Sequence, residues 1–138
     1  MNRRGVYALS RDRFWLEAVA QAADAGVTVE PVECPDGYPD CLKGLPEADS
    51  TALLLLDATG QSDVVYLARL LRARGWQHIV VVAADPCSKQ ARSVLRERVA
   101  DDYWHKTYAR EAIQRDLRQY VQEVWGIDHE QSGSPARG

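Results

Sequence analysis

No apolar run in this chain is long enough to cross a membrane. The stretches Ala52–Leu56 and Ile79–Ala84 fall far short of the ~20 residues a bilayer requires. The N-terminus, Met1-Asn2-Arg3-Arg4, is basic, but no apolar run follows it, so it does not read as a secretory signal. Nor does charge of one sign dominate, with 17 Lys and Arg against 20 Asp and Glu. A net charge of −3 offers no basic surface for a phosphate backbone, so bulk electrostatics give no expectation of nucleic-acid binding. There are three cysteines, Cys34, Cys41 and Cys87, an odd number without tight pairing spacing, which argues against a disulfide framework. Cys34 and Cys41 are separated by six residues and have no histidine nearby, which is not a zinc spacing; they read as free thiols, and the cytoplasm is the default location. Neither G-x-G-x-x-G nor G-x-x-x-x-G-K-S/T occurs, nor does the nucleophile elbow G-x-S-x-G. These absences weigh against nucleotide binding and hydrolase chemistry. No helix-turn-helix or second domain is visible.

What is present suits one domain: 138 residues, 46% of them hydrophobic, enough for a single core. Strand and helix patterns alternate. Gly5–Leu9 reads as a first strand. Arg13–Ala25 carries Phe14, Leu16, Ala18, Val19, Ala22 and Ala23 on a broad helical face, with Gly26 as its cap. Val27–Glu33 alternates as a weaker strand. Residues 34–50 hold Pro35, Gly37, Pro39, Gly44 and Pro46, a density of breakers that allows at most a short helix around Tyr38–Leu45. Thr51–Asp57 is the clearest strand, apolar up to its last residue as expected of a central parallel strand buried on both faces. Asp63–Arg74 is an amphipathic helix closed by Gly75. His78–Ala84 is a strand, Lys89–Arg98 a helix, Tyr103–His105 a short strand and Ala109–Trp125 a last helix ended by Gly126. Residues 1–126 then form the domain, and the polar tail 127–138 is expected to be disordered. Such alternation means an α/β three-layer sandwich around a parallel sheet. Five strands with short connections fit the flavodoxin-like order 2-1-3-4-5.

In such a sheet, ligands and chemistry collect at the carboxyl tips of the strands. Asp57 follows Leu53-Leu54-Leu55-Leu56, and Lys106 follows the short aromatic strand. Asp57 suits phosphoryl acceptance or cation binding, or else capping of the next turn. Lys106 either neutralises an anion or snorkels at the surface, and a partly buried pair with Asp57 is the simplest arrangement.

The stretch Ala100-Asp101-Asp102-Tyr103-Trp104-His105-Lys106, together with Asp57, resembles the receiver domain of bacterial two-component response regulators over residues 5–125. The resemblance implies that Asp57 is the phosphoacceptor equivalent, Lys106 the conserved lysine and Tyr103 the switch aromatic. Three departures stand out. The family's acidic Mg²⁺-binding pair corresponds to Ser10 and Arg11, with only the neighbouring Asp12 acidic, and an arginine opposes a hard dication. Arg11 is instead expected to face Asp57, with Asp12 as a helix N-cap. The switch hydroxyl corresponds to Ala84, and Thr107 replaces the proline after the lysine.

Arg92, Arg96 and Arg98 on the predicted fourth helix and Arg110, Arg115 and Arg118 on the fifth interleave with Glu97, Glu111, Asp116 and Glu123. That is the pattern of a solvated face or of a charge-patterned interface. Trp104, Tyr108, Tyr120 and Trp125 fall in the same region, and the resemblance makes the face of helix four, strand five and helix five the partner surface. His105 alternates away from Trp104 and reads as structural or as a surface residue. The expectation is therefore a pseudo-receiver: a signalling protein that binds a protein partner or a second copy through that face. It would be no enzyme, hold no cofactor, and contact neither membrane nor nucleic acid. Asp57, Arg11 and Lys106 would form a fixed charge cluster. Three alternatives remain: a working receiver phosphorylated at Asp57 with Asp12 and water holding Mg²⁺, a sensor of a small anion in the same crevice, and the leading part of a longer regulator.

Overall fold

The computed structural model describes residues 4–23, 27–34, 45, 51–59, 64–84, 92–93 and 96–125. In chain order the elements are β1 (Arg4–Ser10), α1 (Arg13–Ala22), β2 (Val27–Glu33), β3 (Leu53–Asp57) and α2 (Val64–Ala73). Then come β4 (His78–Ala83), β5 (Asp102–His105), α3 (Arg110–Tyr120) and a π-helical turn, Val121–Trp125. The strands form one sheet in the order β2-β1-β3-β4-β5, and every neighbouring pair is parallel. This is the flavodoxin-like order expected from the alternation of patterns. Among the described residues no helix is long and apolar enough to cross a membrane.

Side chains alternate across a strand, and each parity here feeds a separate core. On one face Leu53 and Leu55 join Val6, Ala8, Val80 and Val82 beneath Trp15, Leu16 and Val19 of α1 and Ile113 and Leu117 of α3. On the other, Leu54 and Leu56 join Leu9, Ile79 and Val81 beneath Val64, Leu67, Ala68 and Leu71 of α2. All five residues of β3 are buried, which is why this strand lacks the polar–apolar alternation of β2, whose odd positions alone pack inward at its start. Trp76 seals the second core and meets Tyr7 edge to face at 5.5 Å.

The ends of the elements have local causes. Asp12 caps α1, its carboxylate accepting from the backbone N–H groups of Phe14 and Trp15. Gly75 closes α2 at φ 109°, a left-handed conformation that costs glycine nothing. Most boundaries shift by one or two residues, and two helix ends differ by three or more. The first helix stops at Ala22, because Ala23 is already extended at ψ 137°. The last is α-helical only to Tyr120 and then widens into the π turn. The short helix expected around Tyr38–Leu45 lies outside the described residues apart from Leu45, as do Gly26 and the tail 127–138. Of the predicted helix over 89–98, Arg92, Ser93 and Arg96 are helical, and Lys89, Gln90, Ala91, Val94 and Leu95 lie outside the described residues.

Leu54 is fully buried in the α2-side core. Leu54→Ala is therefore expected to lower unfolding stability by about 2–5 kcal/mol. Thr28→Ala, on the exposed side of the edge strand β2, should stay within about 0.5 kcal/mol of the parent. Urea titration followed by tryptophan fluorescence checks both.

Candidate functional site

Register brings the site together. Leu9 pairs with Leu56, Asp57 with Val82 and Val82 with Trp104. One step past Leu9, Ser10 therefore lies beside Asp57. Ser10, Asp57 and Lys106 continue the parity of Ala8, Leu55 and Trp104, the face that α1 and α3 cover. Sheet alternation alone thus sends all three side chains to one side of the carboxyl edge.

Lys106 Nζ lies 3.0 Å from Asp57 Oδ2 and 3.1 Å from Asp12 Oδ2. The lysine side chain is only 8% exposed and that of Asp57 5%. One ammonium therefore bridges two carboxylates, and the trio carries one net negative charge. The Ser10 hydroxyl, buried at the end of β1, donates to Asp57 Oδ2 at 2.6 Å and accepts from the Asp12 backbone N–H at 2.8 Å. Asp57 Oδ1 accepts from the Thr59 N–H at 3.0 Å. Tyr108, in the loop before α3, donates its hydroxyl to Asp12. Backbone bonds hold the frame: Lys106 N–H donates to Ala83 C=O at 2.8 Å and Ala58 N–H to Val82 C=O at 2.7 Å. Thr107 Oγ1 accepts from Ala109 N–H at 3.1 Å at the start of α3, a role the expected proline could not fill.

Several expectations change. Arg11 is exposed and forms no ion pair with Asp57 or Asp12; it does not join the charge cluster. Asp12 takes that place, since the turn into α1 points one carboxylate oxygen at Lys106 while the other caps the helix. Asp12 is thus a cap and a member of the crevice at once. Ser10 is not a vacant position but a hydrogen-bonding link between Asp12 and Asp57. Ala84 is exposed just past β4, and its methyl group makes no hydrogen bond. Tyr103 is half-buried against the α2-side core, on the opposite face of the sheet from Asp57. Cys34 is buried and disulfide-bonded rather than free; spacing along the chain did not report which sulfurs folding brings together. Cys41 and Cys87 lie outside the described residues. Tyr108 is the participant that sequence reasoning placed elsewhere, with the aromatic residues of the partner face, and its position two residues after Lys106 was the available signal.

Electrostatics follow the geometry. Partial burial pushes the Asp12 carboxyl upward, but hydrogen bonds from Tyr108, Lys106 and Trp15 outweigh it and hold the group below its ordinary 3.8. Burial likewise opposes the Lys106 charge, yet bonds to Asp57 and Asp12 keep the ammonium above 10.5. The hydrogen bond to Asp12, aided by burial, raises the Tyr108 phenol.

The stability consequences have opposite signs. A depressed Asp12 contributes above its unfolded value of 3.8, and this contribution is lost as pH falls through its lower folded value. A raised Lys106 contributes fully below 10.5 and loses its contribution as pH rises through its higher folded value. Asp12→Asn is thus expected to be less stable than the parent at neutral pH, with a shallower loss below about pH 4, in thermal unfolding recorded against pH.

No protein-family model matches the chain, and no curated protein matches it. Solved structures do match in shape. A response regulator from Thermotoga maritima has a TM-score of 0.68 at 15% identity, covering 88% of this chain and 99% of that one. A CheY-like response regulator receiver domain protein from Methanospirillum hungatei JF-1 has a TM-score of 0.67 at 17% identity, covering 96% and 100%. A CheY-like response regulator from Mesorhizobium loti has 0.61 at 21% identity, covering 86% and 99%. The chain has the fold of response-regulator receiver domains, over nearly their whole length.

Proposed function

We propose that this chain is a receiver-type signalling module that accepts a phosphoryl group on Asp57. The observation that carries this reading is the buried Lys106 ammonium held 3.0 Å from Asp57 Oδ2 at the carboxyl edge of the central strand. Phosphoryl transfer is mostly positioning and charge neutralisation. Lys106 would supply a fixed positive charge for the developing phosphoryl oxygens, while Ser10 and the Thr59 N–H orient the carboxylate. With an acyl phosphate as donor, an Asp57 oxygen attacks phosphorus, the bond from phosphorus to the acyl oxygen breaks and the carboxylate product leaves. The chain is then a switch, not a turnover catalyst.

Mg²⁺ fits the donor set. It commonly keeps several waters and takes one or two carboxylates plus phosphate oxygens. Asp57 and Asp12 share one cation here, Lys106, so the crevice carries acidic oxygens although Ser10 and Arg11 stand where the family has its acidic pair. These two carboxylates would hold the ion, with the Ser10 hydroxyl beside them, and the ion would offset phosphoryl charge. The presence of Asp12 in the crevice is what favours a working receiver over a phosphorylation-dead one.

The output surface in this reading is the face made by β5, α3 and the segment before β5, toward a protein partner or a second copy. Trp104 lines two shallow clefts there, of about 180 and 340 Å³, and Asp116 lines both. Burial raises the Asp116 carboxyl above its ordinary value, only partly offset by Arg115. A contrary observation keeps a second reading in play: Ala84 has no hydroxyl to contact a phosphoryl group, which suits a module that binds its partner constitutively.

Intact-mass analysis after incubation with acetyl phosphate and Mg²⁺ separates the two. A Mg²⁺-dependent phosphoryl adduct, absent from Asp57→Asn, is the expected result. No adduct on folded protein would overturn the phosphoacceptor reading and leave the constitutive one.

A further inference from the structure

Tyr108 reaches the crevice from the loop that leads into α3. It lies two residues past Lys106, with 54% of its surface exposed, yet its hydroxyl turns inward onto Asp12 Oδ2. Its ring lies 5.8 Å from Lys106 Nζ, close enough for the ammonium and the ring face to attract each other.

The lone pairs of Asp12 show what this contact does. An ionised carboxylate offers about four acceptor directions. Oδ1 accepts from Phe14 N–H at 3.0 Å and Trp15 N–H at 3.2 Å. Oδ2 meets Lys106 Nζ at 3.1 Å and the Tyr108 hydroxyl. All four directions are engaged, so a cation can use Asp12 only if one donor leaves. The two backbone donors belong to the first turn of α1 and cannot leave without unwinding it. Lys106 is buried and also holds Asp57. Tyr108 is the one donor carried by an exposed side chain, and a rotation about its own bonds suffices to withdraw it.

We propose that Tyr108 is a positioning residue that latches Asp12 against Lys106, so that its release sets how readily the crevice takes a divalent cation. The inference rests on the reading of Asp12 and Asp57 as the cation-binding pair. The latch makes metal binding and withdrawal of Tyr108 one coupled event. It also makes the loop between β5 and α3 the part of the chain that responds to metal.

The test is Mg²⁺ titration by isothermal calorimetry, with tryptophan fluorescence as a second signal, on the parent, Tyr108→Phe, Asp12→Asn and the double variant. Tyr108→Phe keeps the ring and removes only the hydroxyl. It should bind Mg²⁺ about ten-fold more tightly, equivalent to about 1.4 kcal/mol. In the Asp12→Asn background the same substitution should change the affinity by less than about two-fold, as a double-mutant cycle requires of a contact made through Asp12. Equal or weaker binding by Tyr108→Phe, with the parent binding Mg²⁺, overturns the latch and leaves the cation pair intact. An equal gain in both backgrounds also overturns it, since the effect would not pass through Asp12. Absence of binding by every variant overturns the cation pair itself, and the latch with it.

Discussion

A single buried ammonium organises the carboxyl edge of this sheet. Lys106 is almost fully enclosed, and a charge in that position is tolerable only when paired and hydrogen-bonded. It finds both conditions in Asp57 and Asp12, which arrive from β3 and from the turn after β1. Three parts of the chain, far apart in sequence, are thereby fixed to one another at the point where the helices leave the sheet. Coulomb attraction at such distances is worth about 5 kcal/mol per pair at an intermediate dielectric, before the desolvation that burial imposes is subtracted. Loss of one partner from such a group costs about 3–5 kcal/mol because it strands the remaining charge. The crevice is held by this balance rather than by apolar packing.

The remainder of the molecule keeps that balance in place. β3 is apolar through Leu56 and buried on both faces, so it cannot slip without moving two cores at once. A shift of one residue would send Asp57 to the α2 side and Leu56 to the crevice, exchanging every side chain between layers. β1 is locked in the same way by Val6 and Ala8 on one face and Leu9 on the other. Ser10 then links the two strand tips through its hydroxyl. At the far side, Arg72 of α2 joins Asp101, the Val99 carbonyl and the Gln77 carbonyl, while Asp101 also accepts from Ile79 N–H at 2.8 Å. This clamp fixes the entry to β5, and with it the strand that delivers Lys106.

The same short strand connects the crevice to the outer face. Trp104 lies two positions before Lys106 and so on the same side of the sheet, where it meets Tyr120 edge to face at 6.1 Å. Its indole N–H donates to Asp102 at 3.1 Å. Lys106 and this aromatic pair, which borders the clefts between β5 and α3, are thus joined through a single strand. β5 is the direct covalent route from Lys106, the partner of Asp57, to that surface.

Much of this was legible in the sequence, and the reason is periodicity. Leu53–Leu56 announced a strand buried on both sides, the 3.6-residue spacing of Val64, Leu67 and Leu71 a helix, and alternation of the two a parallel doubly wound sheet. Asp57 stood out as the polar residue that ends an apolar strand, and Lys106 as the charge that follows the short aromatic one. Such patterns are local, and a local pattern fixes which face a residue takes. Which of Arg11 and Asp12 enters the crevice was not local. It depends on the turn between β1 and α1, where Asp12 caps the helix with one oxygen and meets Lys106 with the other, leaving Arg11 in solvent. The hydroxyl of Tyr108 on Asp12 and the Ser10 link to Asp57 are likewise contacts across 96 and 47 residues, which no spacing reports, and spacing does not report the disulfide at Cys34 either. The sequence by itself determined the layers, the strand order and the two charged strand tips, because these follow from periodicity and burial. Only the tertiary structure decided which carboxylate shares the lysine, because that depends on the direction of a single turn in space.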